Sequence, residues 1–262
     1  MKNDKKNLKR MFKNPFVQKG IFTLSAFFFL ALVWIVAYAC VGNDYLFPSL
    51  GDTLKESFRL LTESAFYKVL FPTLLRAFFA FLISFVLAGV FAVISYTVGG
   101  FCRFLAPIIS FLRSLPTMAV LLMILLWTSA TAAPVVVACL VLFPMLYAAF
   151  FAALSETDRG LLEMCNVYNV STKERILKLY LPSIAPSVCK QATACLSFAL
   201  KLTVSAEVMS NTFQSLGGRM QTASLYGEIP TLFALVLITF LTGYLLECIG
   251  LFAATMVERR VR

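Results

Sequence analysis

Long apolar runs constrain this chain more than any other feature. From Ile21 to Cys40, from Thr73 to Ile94 and again further on, stretches of Phe, Leu, Ala and Val continue for the length that a helix needs to cross a bilayer, about 20 residues for a hydrocarbon core of roughly 30 Å. A backbone in lipid satisfies its own polar groups only as helices or as a closed barrel. Runs such as FFFLALVWIVAYACV lack the alternation of a barrel strand. An all-α integral membrane fold follows, with helices expected near residues 20–42, 73–98, 104–128, 132–153, 187–213 and 230–256. Composition agrees: 60% of residues are apolar and 14% charged, with a mean hydropathy of +0.85, far beyond what the core of a soluble domain requires.

The distribution of Lys and Arg sets an expected orientation. The tail Lys2–Lys19, Arg103, Arg113, the segment Arg159–Lys190 and Arg259–Arg262 fall on one side of such a membrane, and only Lys55, Arg59, Lys68 and Arg219 on the other. Both termini are therefore expected in the cytoplasm. The net charge of +10 reads as this asymmetry and not as a nucleic-acid surface. A lipoprotein signal ending at AYAC (Tyr38–Cys40) fits poorly, because Ile21–Cys40 exceeds the usual 7–15 residues of a signal core and Tyr38 is bulky there. The seven cysteines include no CxxC pair and read as small packing residues.

What is missing narrows the chemistry. Without histidine there is no Ser-His-Asp triad and no His-ligated metal, and without GxxxxGK[ST] there is no P-loop. An enzyme acting on its own becomes a poor expectation, as does ATP binding by this chain.

Against that apolar background, EMCNVYNVSTKERILKLYLPSIAP (Glu163–Pro186) is conspicuously mixed. Leu161, Leu162, Cys165 and Tyr168 share one side of a short helix that Asn169 is placed to end, since asparagine tolerates the left-handed conformation. Ser171 with Glu174 forms a capping-box pattern that starts a second helix. That helix is expected to end before Pro182, with Pro186 leading into the next span. The product is a basic and apolar hairpin within a loop at 155–186. Taken by itself it is also compatible with an amphipathic linker lying on the inner membrane surface.

Glu163, Met164, Cys165, three further residues, Asn169, then Leu181-Pro182 and Pro186 resemble the EAA loop of ABC importer permeases, with Met and Cys in place of two alanines and Asn in place of a glycine. The resemblance extends along the chain. LFPSL (Leu46–Leu50), TLLRAFFAFLISFVLAGVFAVI (Thr73–Ile94), FLRSLPTMAVLLMILLW (Phe111–Trp127), KLTVSAEVMSN (Lys201–Asn211) and the tail LLECIGLFAATMVERRVR are similar, in order, to the nitrate, sulfonate, taurine and thiamine-precursor branch of that family. What this implies is a type I (MetI-like) permease of six transmembrane helices, with a basic cytoplasmic tail at 1–19 and a permease domain at 20–262. Glu163, Met164, Cys165, Asn169, Ser171, Glu174, Leu181 and Pro182 would form the loop that couples to a cytoplasmic ATPase. The implied partners are two ATPase subunits, an extracytoplasmic solute-binding protein and a second permease subunit, by default an identical one. ATP would be bound on the partner chain, and no cofactor in this one.

Candidate pathway residues follow from the cost of polar groups in lipid. Glu207 is six residues beyond Lys201, which puts them roughly 120° apart and ~9 Å along the axis, too far round to pair within a helix. Thr203, Glu207, Ser210, Asn211 and Gln214 draw one polar stripe, and Thr193, Ser197, Lys201 and Ser205 another. The first stripe is expected to face the translocation path or a dimer seam, with Lys201 or Arg76 attracting an anionic solute. The competing expectation is that Arg76, Glu207 and Glu247 bridge helices and fix their packing.

Outside, DTLKESFRLLTESAFYKVL within an outer loop at 43–72 reads as one amphipathic helix with Leu54, Phe58, Leu61 and Ala65 on a stripe, lying on the outer membrane surface or under a binding protein. Gly99-Gly100 and Gly217-Gly218 read as turns at helix ends. A secondary transporter without an ATPase is the alternative class, disfavoured because no internal repeat is evident.

Overall fold

The computed structural model describes residues 15–43 and 46–261, so most of the basic tail lies outside the described residues. All regular structure among them is helical: α1 (Pro15–Val41), α2 (Leu50–Thr62), α3 (Ser64–Thr97), α4 (Gly99–Ser114), α5 (Thr117–Leu125), α6 (Ala133–Ser155), α7 (Arg159–Val167), α8 (Thr172–Arg175), a π-helical turn (Ile176–Tyr180), α9 (Leu181–Ser210), α10 (Leu216–Leu225) and α11 (Ile229–Val261). Among these, α3, α6, α9 and α11 are each long and apolar enough to cross a membrane, and α4 with α5 make a further crossing only as a pair bent by 91°. α1 adds an apolar stretch, Phe28–Val41.

Four expectations are corrected. The third span is not one helix over 104–128. Leu115 takes an extended conformation (φ −65°, ψ 128°) because a residue before proline disfavours the helical region, and the chain turns at Pro116. The outer segment is likewise not one helix: it breaks at Glu63 (φ −81°, ψ 118°), and the second span begins at Ser64 with Pro72 inside it. The helix after Ser171 does not stop before Pro182. It runs through the π-helical turn into α9, where the Leu181 N–H reaches back to Ile176 O, and Pro182 sits in the first turn of α9. A widened turn there accommodates a ring that would clash with an ordinary i−4 carbonyl. Finally, Gly217 and Gly218 are not turn residues: they lie buried in the first turn of α10.

Packing explains the sequence pattern. The side of α3 that faces the core consists of Thr73, Ala77, Ala80, Ser84, Ala88, Ala92 and Ser95, small residues at helical spacing. They let α3 lie close against α6, as expected where lipid supplies no hydrophobic drive and close van der Waals contact must hold helices together. Phe78 and Phe79 point away, both about half exposed. α9 packs on α6 and α11. At the second of these contacts a Cβ on Gly250 would collide with the Thr193 side chain, so only glycine permits that approach.

α2 turns its face opposite to the simplest expectation. Thr53, Ser57 and Leu60 are buried, while Leu54, Phe58 and Leu61 are 42%, 69% and 40% exposed. The apolar stripe thus points outward, and the inner side is held by Glu56 accepting from the Thr231 hydroxyl on α11 at 3.1 Å.

Candidate functional site

The hairpin expected at 155–186 is present. The Val170 N–H donates to Cys165 O at 3.0 Å across Asn169, which has φ 48°, so α7 ends in a left-handed cap of the Schellman kind. Ser171 Oγ then accepts the Glu174 N–H at 3.3 Å, and the Arg175 N–H donates to Ser171 O at 2.9 Å, which starts α8. The Glu174 carboxylate takes the Ser171 hydroxyl at 3.2 Å and the Lys178 ammonium at 3.0 Å. That ammonium, with Ser171 adding to it, holds the exposed Glu174 carboxyl below its ordinary value.

Around this frame the side chains divide cleanly. Cys165 is buried, and Tyr180 packs edge-on against Tyr96 at the C-terminal end of α3 with ring centroids 5.9 Å apart. Glu163, Asn169, Ser171 and Leu181 are exposed, and Pro182 is half-buried. Met164, Val167 and Tyr168 are exposed by 49%, 76% and 76%. That is much apolar surface for so short a helix.

Glu207 has a different fate. Its carboxylate is fully buried and accepts from Arg76 Nη1 on α3 at 2.8 Å. Thr73 Oγ1 lies 2.9 Å from Oε2 and 3.1 Å from Oε1, and the Gly217 N–H donates to Oε2 at 3.3 Å. Thr73 Oγ1 in turn accepts the Leu216 N–H at 3.0 Å. One carboxylate thereby ties α9 to α3 and to the first turn of α10. Gly217 is required because a Cβ there would collide with Glu207 Cβ, Val204 O and Val208 N. The bridging reading thus describes Arg76 and Glu207. Their stripe is closed along the helix and open only beyond its end: Thr203 and Glu207 are wholly buried, Ser210 is half-buried against Thr212, and Asn211 and Gln214, left-handed at φ 48° and 49°, are exposed. The sequence reading missed Thr73 and Gly217, whose one signal is that Thr73 and Arg76 stand i, i+3 on a helix.

The second stripe also divides. Thr193 and Ser197 are buried against α11, while Lys201 and Ser205 are exposed. Among the described residues Lys201 joins no ion pair, in contrast with Lys190, which meets Glu258 on α11 at 2.9 Å. Near the start of α10, Asn211, Gln214, Ser215, Arg219 and Thr222, with Val69 and Phe213, line a cavity of about 380 Å³ whose arginine is paired with Glu63 at 3.0 Å.

Comparison with known proteins gives the fold a context. The family model of the binding-protein-dependent transport system inner membrane component matches residues 86–262. No curated protein matches the chain. Among solved structures, one of inward-facing conformations of the MetNI methionine ABC transporter matches at 21% identity, covering 75% of this chain and 94% of that one, with a TM-score of 0.58. An amino acid ABC transporter with histidines matches at 17% identity over the same shares, also with a TM-score of 0.58. A second MetNI crystal form matches at 20% identity, covering 83% and 96%, with a TM-score of 0.55. At such identities these likenesses establish the fold alone.

Proposed function

The chain belongs to the binding-protein-dependent transport system inner membrane component family, as a multi-pass ABC importer permease of the MetI type, and from that premise we propose how its parts divide the work. Residues 155–186 form the coupling loop for a cytoplasmic ATPase. Leu161, Met164, Val167 and Tyr168 supply the apolar contact, and Glu163 lies beside them. The observation that carries this is the exposed apolar side of α7, rigidly capped at Asn169 and braced through Tyr180 against α3. A lever transmits force only if it cannot flex at its base, and the unbroken path from α8 into α9 meets that need.

ATP is bound and hydrolysed on the partner chain, and this subunit forms half of a pathway completed by a second, identical copy. Both termini face the cytoplasm at the plasma membrane, and an external binding protein delivers the solute at the opposite side. Lys201, with Ser205 one turn along, faces the path, because an exposed ammonium that joins no ion pair among the described residues, set within a spanning helix, needs water or an anion beside it. Asn211 stands near its outer end. The solute is a small anion or a heterocycle of the sulfonate, nitrate, taurine or thiamine-precursor classes. Two neighbours in fold are named for methionine and amino acid transport, and an amino acid shares the anionic head group.

The test is co-purification from native membranes in mild detergent, comparing the wild type with Glu163→Arg. Glu163 is exposed, so the change leaves the fold intact. An ATP-binding subunit that accompanies the wild type and is lost from the variant supports the coupling loop. If both forms stay folded and neither brings an ATPase, the assignment is wrong.

A further inference from the structure

Counting charges along the sequence puts Arg113 among the cytoplasmic cations, and the fold puts it elsewhere. α4 ends at Ser114, one residue before the bend, and Arg113 Nη2 donates to Pro144 O at 3.0 Å. Pro144 is the midpoint of α6, which runs from Ala133 to Ser155 over 23 residues. The guanidinium therefore sits at half the height of a spanning helix. At that depth an arginine is costly unless it meets a counter-charge or water. Among the described residues it meets no carboxylate: the ion pairs there engage Arg59, Arg76, Lys178, Lys190 and Arg219. A guanidinium has five N–H donors, and the Pro144 carbonyl takes one.

Beside it lies a cavity of about 350 Å³ between α4 and α6. Cys102, Ser110 and Arg113 line it from α4, with Tyr147 and Phe151 opposite. Arg113 is its one charged lining residue. The Tyr147 hydroxyl already donates to Ser95 at 3.0 Å, so the polar donors left to an occupant are those of Arg113 and Ser110. Donors without acceptors of charge, set in apolar walls, suit a negative head on a small body, and the volume falls at the lower end of small-molecule sites. A cation whose work was only to hold the bend would spend its fork on backbone carbonyls; this one spends a single N–H.

The geometry points to a binding cavity for a small oxyanion, a carboxylate, sulfonate or inorganic oxyanion, held by Arg113 with Ser110 beside it at mid-membrane. It rests on the transport reading in one respect only, that the cavity is a station on the solute's way. Its test requires neither transport nor an ATPase, so the two readings fail separately.

Cys102 in the same cavity supplies the readout. The full chain, in nanodiscs of neutral phosphatidylcholine, is treated with an anionic methanethiosulfonate (ethylsulfonate) or its cationic trimethylammonium analogue, and modification of the Cys102 peptide is followed by mass spectrometry. Cys102 stands eleven residues from Arg113 on the same helix, about 16 Å along its axis, and relative to a free thiol the anionic reagent is favoured by about fivefold, as a unit charge at that distance dictates at intermediate dielectric. Arg113→Gln abolishes the preference and Arg113→Lys keeps part of it. Methanesulfonate or acetate slows labelling in the wild type, and tetramethylammonium does not. Should Arg113→Gln fail to fold, Arg113→Lys and protection of the wild type decide the matter. Equal rates for the two reagents, with no protection by anions, overturn the proposal. Protection by added phosphatidylglycerol but not by methanesulfonate would make the occupant a lipid headgroup and overturn the assignment to a solute.

Discussion

Replacing Glu207 by alanine is the sharpest test of how this fold is held. The carboxylate is wholly buried, its partner Arg76 is only 18% exposed, and the Gly217 N–H and the Thr73 hydroxyl also converge on it. Removing one member of a buried pair leaves the other charge uncompensated, at a cost of about 3–5 kcal/mol. The residual exposure of Arg76 places the expected loss toward the lower end. For a chain of this size that corresponds to a fall of roughly 10 °C in apparent melting temperature, read by size-exclusion after heating in detergent. Glu207→Gln keeps an acceptor for Thr73 and Gly217 and loses the charge, so a smaller fall is expected, about 2 kcal/mol. Combining Glu207→Met with Arg76→Leu removes both charges and restores most of the loss, leaving about 1 kcal/mol for the Gly217 N–H, which then lacks an acceptor, whereas the Thr73 hydroxyl keeps the Val69 carbonyl at 3.2 Å. If Glu207→Ala melts with the wild type, the ion pair does not bridge the helices and the packing argument fails. If Glu207→Gln melts nearly normally but abolishes uptake, Glu207 acts on the solute.

The other predictions rest on single contacts. Gly217→Ala drives a methyl into the Glu207 Cβ and the α9 backbone and costs about 1–3 kcal/mol, while Gly99→Ala, with open space around it, leaves the melting temperature unchanged. Lys201→Met reduces uptake of the native solute several-fold while leaving the melting temperature and ATPase co-purification intact; unchanged uptake removes Lys201 from the path. Acid dependence should appear outside the membrane: the Arg59 guanidinium, hydrogen-bonded to Glu56, holds that carboxyl below its ordinary 4.5 against the opposing effect of partial burial, with Thr231 assisting. A depressed carboxyl stabilises the fold above its unfolded value, and the gain disappears as pH falls through the folded one. The advantage of wild type over Glu56→Gln in melting is therefore level above pH 4.5 and shrinks below it, and an advantage that grows on acidification would contradict the contact.

Local chemistry was legible in the sequence, and partnership across the chain was not. Asn169 and the Ser171–Glu174 pair could be read in advance because capping is settled within a few residues, and the structure places both as expected. The long spans were legible for the same reason, since hydropathy needs no partner. Prolines misled in both directions. Pro182 looked like a terminator, yet the first turn of a helix has no use for the missing N–H and a π-helical turn gave the ring room. Pro116 looked compatible with a straight span, yet its effect on Leu115 broke that span. Gly217 read as a turn because its need for a bare Cα arises from a helix that the sequence places ten residues away and the fold brings into contact.

The buried charges show why spacing alone is an incomplete guide to a membrane protein's polar residues. Lys201 and Glu207 share a helix, and periodicity separates them correctly, but it has no means of finding that the partner of Glu207 is Arg76, 131 residues earlier. Once that pair closes, the cost of both charges is met inside the protomer and neither requires a pore. Lys201 and Arg113 have no such closure among the described residues, and the membrane permits that only where water, a second subunit or a solute completes them. The sorting principle is therefore neither the number of charges in the spans nor their spacing, but which of them the fold leaves unanswered. Among the described residues those left unanswered in the spans are Lys201 and Arg113, and on α11 also the carboxylate of Glu247, so a solute with a negative head is expected from where the two cations stand and not from any absence of unanswered anions.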